Sequence, residues 1–237
     1  MNTSEYPVMV VTGTSKGIGR EIAEYFVSHG YRLAGCSRSP ATIEIENYHH
    51  TQLDVGDEVQ VRNWIRSIKR TFGQIDVLVC NAGLAPASML LTATPGESLE
   101  SLLRTNIGGT FFACREVAKV MMLQRFGRII TLSSMAVGLH EEGTSIYSAS
   151  KSAVVEMTKI LAKEIAAFGI TCNVIAPSMF ETEAVEALGE KVKTRAIDKL
   201  TIKRTLTIEE ICNVISFFAA PGSSCITGQV LHMGLVC

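Results

Sequence analysis

Four apolar residues, Val8-Met9-Val10-Val11, run straight into Thr12-Gly13-Thr14-Ser15-Lys16-Gly17-Ile18-Gly19, where an apolar helical period begins. This junction constrains the chain more than any other feature. A short run without polar interruption is a strand buried on both faces, and glycines at 13, 17 and 19 permit a tight turn with close backbone approach. The helix that opens there offers unpaired N–H groups and a partial positive charge to a pyrophosphate. The spacing is GxxxGxG, not GxGxxG, so the turn alone leaves a purely structural role open. Its position after a first strand favours the ligand.

The same alternation continues along the chain. Strands are expected at 31–36, 48–53, 75–80, 128–132, 171–175 and 227–233, and helices at 18–29, 59–72, 99–122, 145–168 and 208–219. Short apolar strands alternating with longer helices predict an α/β fold, a doubly wound parallel sheet with helices on both faces. No composition break or internal repeat divides residues 1–237, which predicts one domain. Residues 180–205 are richer in charge and lack a strong apolar period. They read as a substrate-covering flap, with a plain surface excursion as the alternative.

Composition excludes several function classes. The formal charge is −1, from 22 basic and 23 acidic residues, with no basic tail to meet nucleic acid or an anionic membrane. No apolar run is long enough to span a bilayer. The 7 cysteines form no CxxC pair and sit mostly in apolar runs, as expected of reduced thiols in a cytoplasmic protein. His49 and His50 would face opposite ways on a strand, so no metal is expected.

Two cations mark the far end of the expected cleft. Arg38 follows the second strand, where Asp or Glu would suit an unphosphorylated ribose, and Lys16 lies inside the glycine turn. Together they suit a 2′-phosphate, and so NADP(H), although two ordinary solvated cations would read the same way. Asp54, after the third strand, is placed to accept from an adenine amino group. Asn81-Ala82-Gly83 follows the fourth strand with small residues that let backbone approach a ligand. Ser134 follows the fifth strand, 13 residues before Tyr147, and Tyr147 and Lys151 share a helix face. Singly these residues are unremarkable; their joint order is the informative signal.

That ordered set (TGTSKGIG at 12–19, Asp54, NAG at 81–83, Asn106, SS at 133–134, YSASK at 147–151, Asn173 with Pro177, Thr182, and TGQ at 227–229) resembles the short-chain dehydrogenase/reductase family over essentially the whole chain. Within it the chain looks most like 3-oxoacyl-[acyl-carrier-protein] reductases and related ketoreductases. The resemblance implies a Rossmann-type sheet of seven mostly parallel strands and a catalytic set of Asn106, Ser134, Tyr147 and Lys151. It implies cofactor contacts from Gly13, Thr14, Ser15, Lys16, Gly17, Ile18, Gly19, Ser37, Arg38, Asp54, Val55, Asn81, Ala82, Gly83, Tyr147, Lys151, Pro177, Ser178 and Thr182. Substrate contacts would come from Ser134, Met135, His140, Tyr147 and Met179. A homotetramer or homodimer joined through the helices beginning near 99 and 145 is also implied.

The chemistry of a ketone explains the roles. An alkoxide formed at the carbonyl must be protonated, so Tyr147 is the expected general acid. A Lys151 ammonium nearby, together with the charge of the oxidised nicotinamide, should lower the phenol's pKa, Ser134 would donate to the substrate oxygen, and Asn106 would hold a relay water. Ser133 should point away from Ser134. An acyl thioester, a cyclic ketone and a keto-sugar all remain open as substrates. So do NAD(H) as cofactor, an NAD-linked alcohol dehydrogenase, and a non-catalytic cofactor-binding subunit. An acyl carrier protein would require a basic patch, for which Arg125, Arg128 and Lys163 are the candidates.

Three departures stand out. Only 15 residues separate Arg38 from Asp54, too few for both an ordinary helix and a strand, so this side should be more open. Ser178 stands where the family places glycine after proline, and GQVLHMGLVC replaces the family's usual C-terminal ending.

Overall fold

The computed structural model describes residues 6–180 and 190–236. Its sheet has seven strands: β1 (Val8–Thr12), β2 (Arg32–Ser37), β3 (Tyr48–Gln52), β4 (Val77–Cys80), β5 (Gly127–Leu132), β6 (Ile170–Pro177) and β7 (Val230–Met233). They lie in the order β3-β2-β1-β4-β5-β6-β7, every neighbouring pair parallel. The apolar central strands β1, β4, β5 and β6 are buried along their whole length, as strands covered on both faces must be. The order reverses between β1 and β4, which opens a crevice beyond their carboxyl ends.

The helices are α1 (Gly17–Ser28), α2 (Glu58–Phe72), α3 (Gly96–Leu102), α4 (Thr110–Gln124), α5 (Ala136–Leu139), α6 (Ser145–Ile165), α7 (Glu190–Ile197) and α8 (Ile208–Ala219). Their ends have local chemical causes. Asp57 accepts from the backbone of Val59 and Gln60 to start α2, and Gly73 at φ 79° stops it. Thr207 and Glu210 form a capping box that starts α8. Trp64, Ile65, Val117 and Met121 from α2 and α4 pack on one face of the sheet; Ile22, Phe26, Ile215 and Phe218 from α1 and α8 pack on the other.

Two departures from regular geometry bear on the site. Between α3 and α4 the chain widens into a π-helical stretch, Leu103–Gly109, a form that recurs at functional positions. Between β2 and β3 there is no helix. Residues 38–47 cross as an irregular strap in which Ile43 is buried against the α1 face of the core. The strap is not loose: the Thr42 hydroxyl donates to the Ser15 carbonyl at 2.8 Å, fastening it to the glycine turn. The greater openness expected here is thus confined to the missing helix.

The flap reading of 180–205 covers 181–189, which lie outside the described residues. At its margins Phe180 bridges Leu206, and Leu206 N donates to the Met179 carbonyl. The last residues fold back on the chain, with Val236 N donating to Thr201 Oγ1 at 3.0 Å. No described helix is long and apolar enough to cross a membrane. Cys36, Cys80, Cys114, Cys172 and Cys212 are free and buried, and Cys225 is free and exposed.

Candidate active site

A cleft of about 850 Å³ opens at the topological switch. Of the residues expected to touch a cofactor, Gly13, Ser15, Lys16, Gly17, Ile18, Gly19, Ser37, Arg38, Asp54, Val55, Asn81, Ala82 and Gly83 line it. Glycine is required in its floor. A Cβ on Gly19 would lie 2.1 Å from the Gly13 carbonyl oxygen, and Gly13, at φ +79°, would drive one to 2.8 Å from Ala82 Cα. The Asn81 side chain donates to the carbonyls of Thr12 and Gly13, locking the β4 turn to the β1 turn. The N-terminus of α1 enters this space with no side-chain cap and no acidic residue in its first turn. Its N–H groups are therefore free for an anion.

Lys16 and Arg38 are exposed beside it, and among the described residues neither has an acidic partner. Asp54, expected to accept from an adenine amino group, lines the cleft with two partners of its own. Its Oδ2 pairs with Arg104 at 2.8 Å and its Oδ1 accepts from Gly56 N at 2.9 Å.

Two expected contacts turn away from the cleft. Thr14 is fully buried, its hydroxyl 2.8 Å from that of Tyr48 and its N–H donating to the Cys36 carbonyl, so it forms the back wall. Ser178 follows β6 with its N–H on the Met233 carbonyl and its buried Oγ pressed toward Gly234, without a hydrogen-bond partner. Pro177 ends β6 and its carbonyl accepts from Met135 N at 3.0 Å. Thr182 lies outside the described residues. Ser39, Leu53, Leu84, Thr105, Arg20, Glu21 and Glu24 also line the cleft without having been expected as cofactor contacts. The α1 residues were readable from helical spacing, since 20, 21 and 24 follow Gly17 on one face.

The second cluster stands at the ends of β5 and α6. The Ser134 hydroxyl lies near enough to that of Tyr147 to favour its phenolate, and it accepts from Ala136 N at 3.2 Å. Ser133 is buried and points elsewhere, donating to the Lys151 carbonyl. Lys151, only 7 % exposed, donates from Nζ to the Leu132 carbonyl at 2.8 Å. Asn106 is 1 % exposed on the π-helical stretch. Its Oδ1 accepts from Leu84 N, and its Nδ2 donates to Leu84 O and to Ser150 Oγ. Ser150 in turn donates to the Tyr147 carbonyl at 2.7 Å. Gly83 joins the two clusters, for a Cβ there would stand 3.4 Å from Asn106 Oδ1 and 3.5 Å from Lys151 Nζ.

The electrostatics of the chain's own residues bears on one expectation. The Tyr147 phenol is pushed up from its ordinary value, chiefly because burial disfavours phenolate; the Ser134 hydrogen bond opposes this only in part. Burial likewise holds Lys151 down to about 8, with Cys80 beside it opposing the shift. The ammonium is aimed at a carbonyl, and desolvation outweighs any help it gives the phenolate. Both groups are therefore biased toward their neutral forms.

The expected substrate contacts are divided. Ser134 and Tyr147 meet, Met135 is partly buried, and Met179 is buried near its margin. His140, at φ 52°, is exposed and turns its ring to the Gly138 carbonyl. Of the cations considered for a carrier protein, Arg128 is 2 % exposed and bonded to the Gly127 and Gly169 carbonyls, so it is not available. His49 packs edge-on to Phe72, whereas His50 faces Tyr48 and Ser37. No group of three or more candidate metal ligands gathers among the described residues.

Comparison with known proteins agrees with this geometry. The profile of the family described as Enoyl-(Acyl carrier protein) reductase matches residues 13–234. The 3-oxoacyl-[acyl-carrier-protein] reductase FabG of Salmonella typhimurium is 32% identical over 235 residues, covering 97% of this chain and 96% of that protein. Its counterpart from Haemophilus influenzae is 33% identical over 232 residues, 95% and 96% of the two chains. The solved structure of ElxO with NADP bound superposes with a TM-score of 0.90 at 30% identity, over 96% of this chain and 97% of that one.

Proposed function

The chain belongs to the short-chain dehydrogenase/reductase family, and from that premise we propose that it reduces the ketone of a 3-oxoacyl thioester to a secondary alcohol with NADPH. It is an NADP(H)-dependent ketoreductase of the FabG-like type. The observation that carries the reading is the Ser134–Tyr147 pair, two hydroxyls converging at the carboxyl edge of the sheet. A carbonyl oxygen gaining negative charge needs such donors, whereas reduction of an isolated carbon–carbon double bond does not.

The cleft fits a dinucleotide phosphate. Gly13 and Gly19 leave a cradle that a Cβ would fill, the uncapped α1 N-terminus faces it, and Lys16 and Arg38 lie at one end with no acidic partner among the described residues. The turn at 13–19 would hold the pyrophosphate, Arg38 and Lys16 the 2′-phosphate, and Asn81 to Gly83 the middle of the cofactor. When bound, the nicotinamide supplies the hydride.

Everything else comes from this chain. Tyr147 keeps its proton throughout neutral pH because burial raises its pKa, and it gives that proton to the substrate oxygen. Ser134 donates to the same oxygen and stabilises its developing charge. Lys151, one helical turn along, would reach the phenolate left behind only by turning from the Leu132 carbonyl that it holds. Asn106 fixes the Leu84 backbone and Ser150, and with them the entry to this site. The proposal includes a homo-oligomer, because Leu103, Phe111 and Leu123 along residues 96–124 and Ile160 on α6 are exposed apolar side chains.

The test is NADPH oxidation across 3-oxoacyl thioesters, cyclic diketones and keto-sugars. The thioesters should turn over fastest, and faster with NADPH than with NADH. Failure to reduce any ketone overturns the reading.

A further inference from the structure

The missing helix between β2 and β3 leaves the segment that carries Arg38 in need of another support, and the side chains of β3 provide it. Register places His50 opposite Gly35 and Gln52 opposite Ser37. Gln52 Nε2 donates to the Arg38 carbonyl at 2.8 Å. His50 Nε2 lies 3.1 Å from the Ser39 carbonyl and 3.1 Å from Ser37 Oγ, which itself donates to Ser39 O at 2.8 Å. On the other side of the ring, Nδ1 lies 2.9 Å from the Tyr48 hydroxyl, which is 2.8 Å from Thr14 Oγ1 in the glycine turn.

The proton assignments close for a neutral imidazole. A carbonyl can only accept, so Nε2 carries the hydrogen toward Ser39 O, and Nδ1 accepts from Tyr48. Thr14 then donates to Tyr48, 2.8 Å away. Gly35 makes room for the chain, since a Cβ there would lie 2.5 Å from both the Thr14 and Tyr48 oxygens.

We infer that His50, backed by Tyr48, is a positioning residue for recognition of the 2′-phosphate: it acts on Arg38 by fixing the Ser37–Ser39 backbone against the glycine turn. This rests on the NADPH reading above. His50 does not touch the cofactor. Its ring replaces, with hydrogen bonds, the rigidity that a crossover helix would give, and specificity at this end then depends on an edge strand.

Equilibrium binding of NADPH and NADH to the ligand-free protein, read by nucleotide fluorescence, separates the possibilities. In His50→Leu the NADPH Kd should rise about tenfold, the size of one lost hydrogen bond, while the NADH Kd stays within about twofold. His50→Gln, which keeps a donor and an acceptor, should recover most of the loss. His50→Leu should add nothing to Arg38→Ala, because both act on one contact. An unchanged NADPH-to-NADH ratio in His50→Leu overturns the inference, as does equal weakening of both cofactors or full additivity with Arg38→Ala. Should His50→Leu not fold, Tyr48→Phe carries the same test. If Arg38→Ala itself leaves the ratio unchanged, the 2′-phosphate reading fails and takes this inference with it; if only the His50 variants are silent, that reading stands.

Discussion

At the end of the cleft proposed to hold the 2′-phosphate, the candidate groups are exposed side chains, Lys16 and Arg38, and the backbone at Arg38 and Ser39 is fastened by bonds from a neighbouring strand. At the chemical end, Lys151 and Asn106 are buried with their side-chain polar atoms already engaged. The first arrangement should tolerate replacement of its scaffold, because its charged groups are exposed. The second does not, because each buried polar group left without its partner carries the full cost of desolvation. Binding and chemistry should therefore respond separately to mutation.

The largest separable effect belongs to the chemical end. Ser134→Ala removes a hydroxyl that faces developing charge and should lower kcat about 10²–10³-fold. The NADPH Kd should stay near the wild-type value in a titration run beside the assay. A parallel loss of binding would mean that the two ends are not separable. Next comes Arg38→Asp, which should raise the NADPH Kd about 10–100-fold, the worth of a charge-assisted contact, and leave NADH binding little changed. Comparing the Kd of both nucleotides decides it.

The smallest effect sharpens the account of Lys151. Its folded pKa, about 8, lies below the ordinary 10.5, so between these values the unfolded chain holds a proton the folded chain has shed. The stability this group contributes therefore rises with pH across that window and is flat below it. Burial raises the thiols of Cys36 and Cys212 to about 12, which works in the opposite direction above about 9. The clean readout is a difference. Urea unfolding of wild type minus that of Lys151→Met should shift in favour of wild type by up to about 1.4 kcal/mol per pH unit above pH 8. A pH-independent difference would contradict it.

Much of this was legible in the chain before any coordinates. Val8 to Val11 leading into Gly13 located the first strand and turn, because a buried strand and an uncapped helix leave few alternatives. The absence of a helix after Arg38 followed from chain length alone. What could not be read depends on partners distant in sequence. Tyr48 meets Thr14 only because β3 lies beside β2, and Arg128, an arginine in a strand, gave no sign that its guanidinium would be buried on backbone carbonyls. The π-helical stretch around Asn106 has no signature in residue type. For Tyr147 the chain's own residues leave burial dominant, because the ammonium expected to favour phenolate alongside an oxidised nicotinamide is directed at Leu132.

The central claim is that the proton comes from Tyr147. It is tested most directly by Tyr147→Phe, with the NADPH Kd and the single-turnover rate of ketone reduction measured on the same preparation. The account predicts a Kd within about threefold of wild type and a rate lower by about 10²–10⁴-fold, the range for loss of a general acid. A rate within about tenfold of wild type, with the cofactor bound normally, would contradict it.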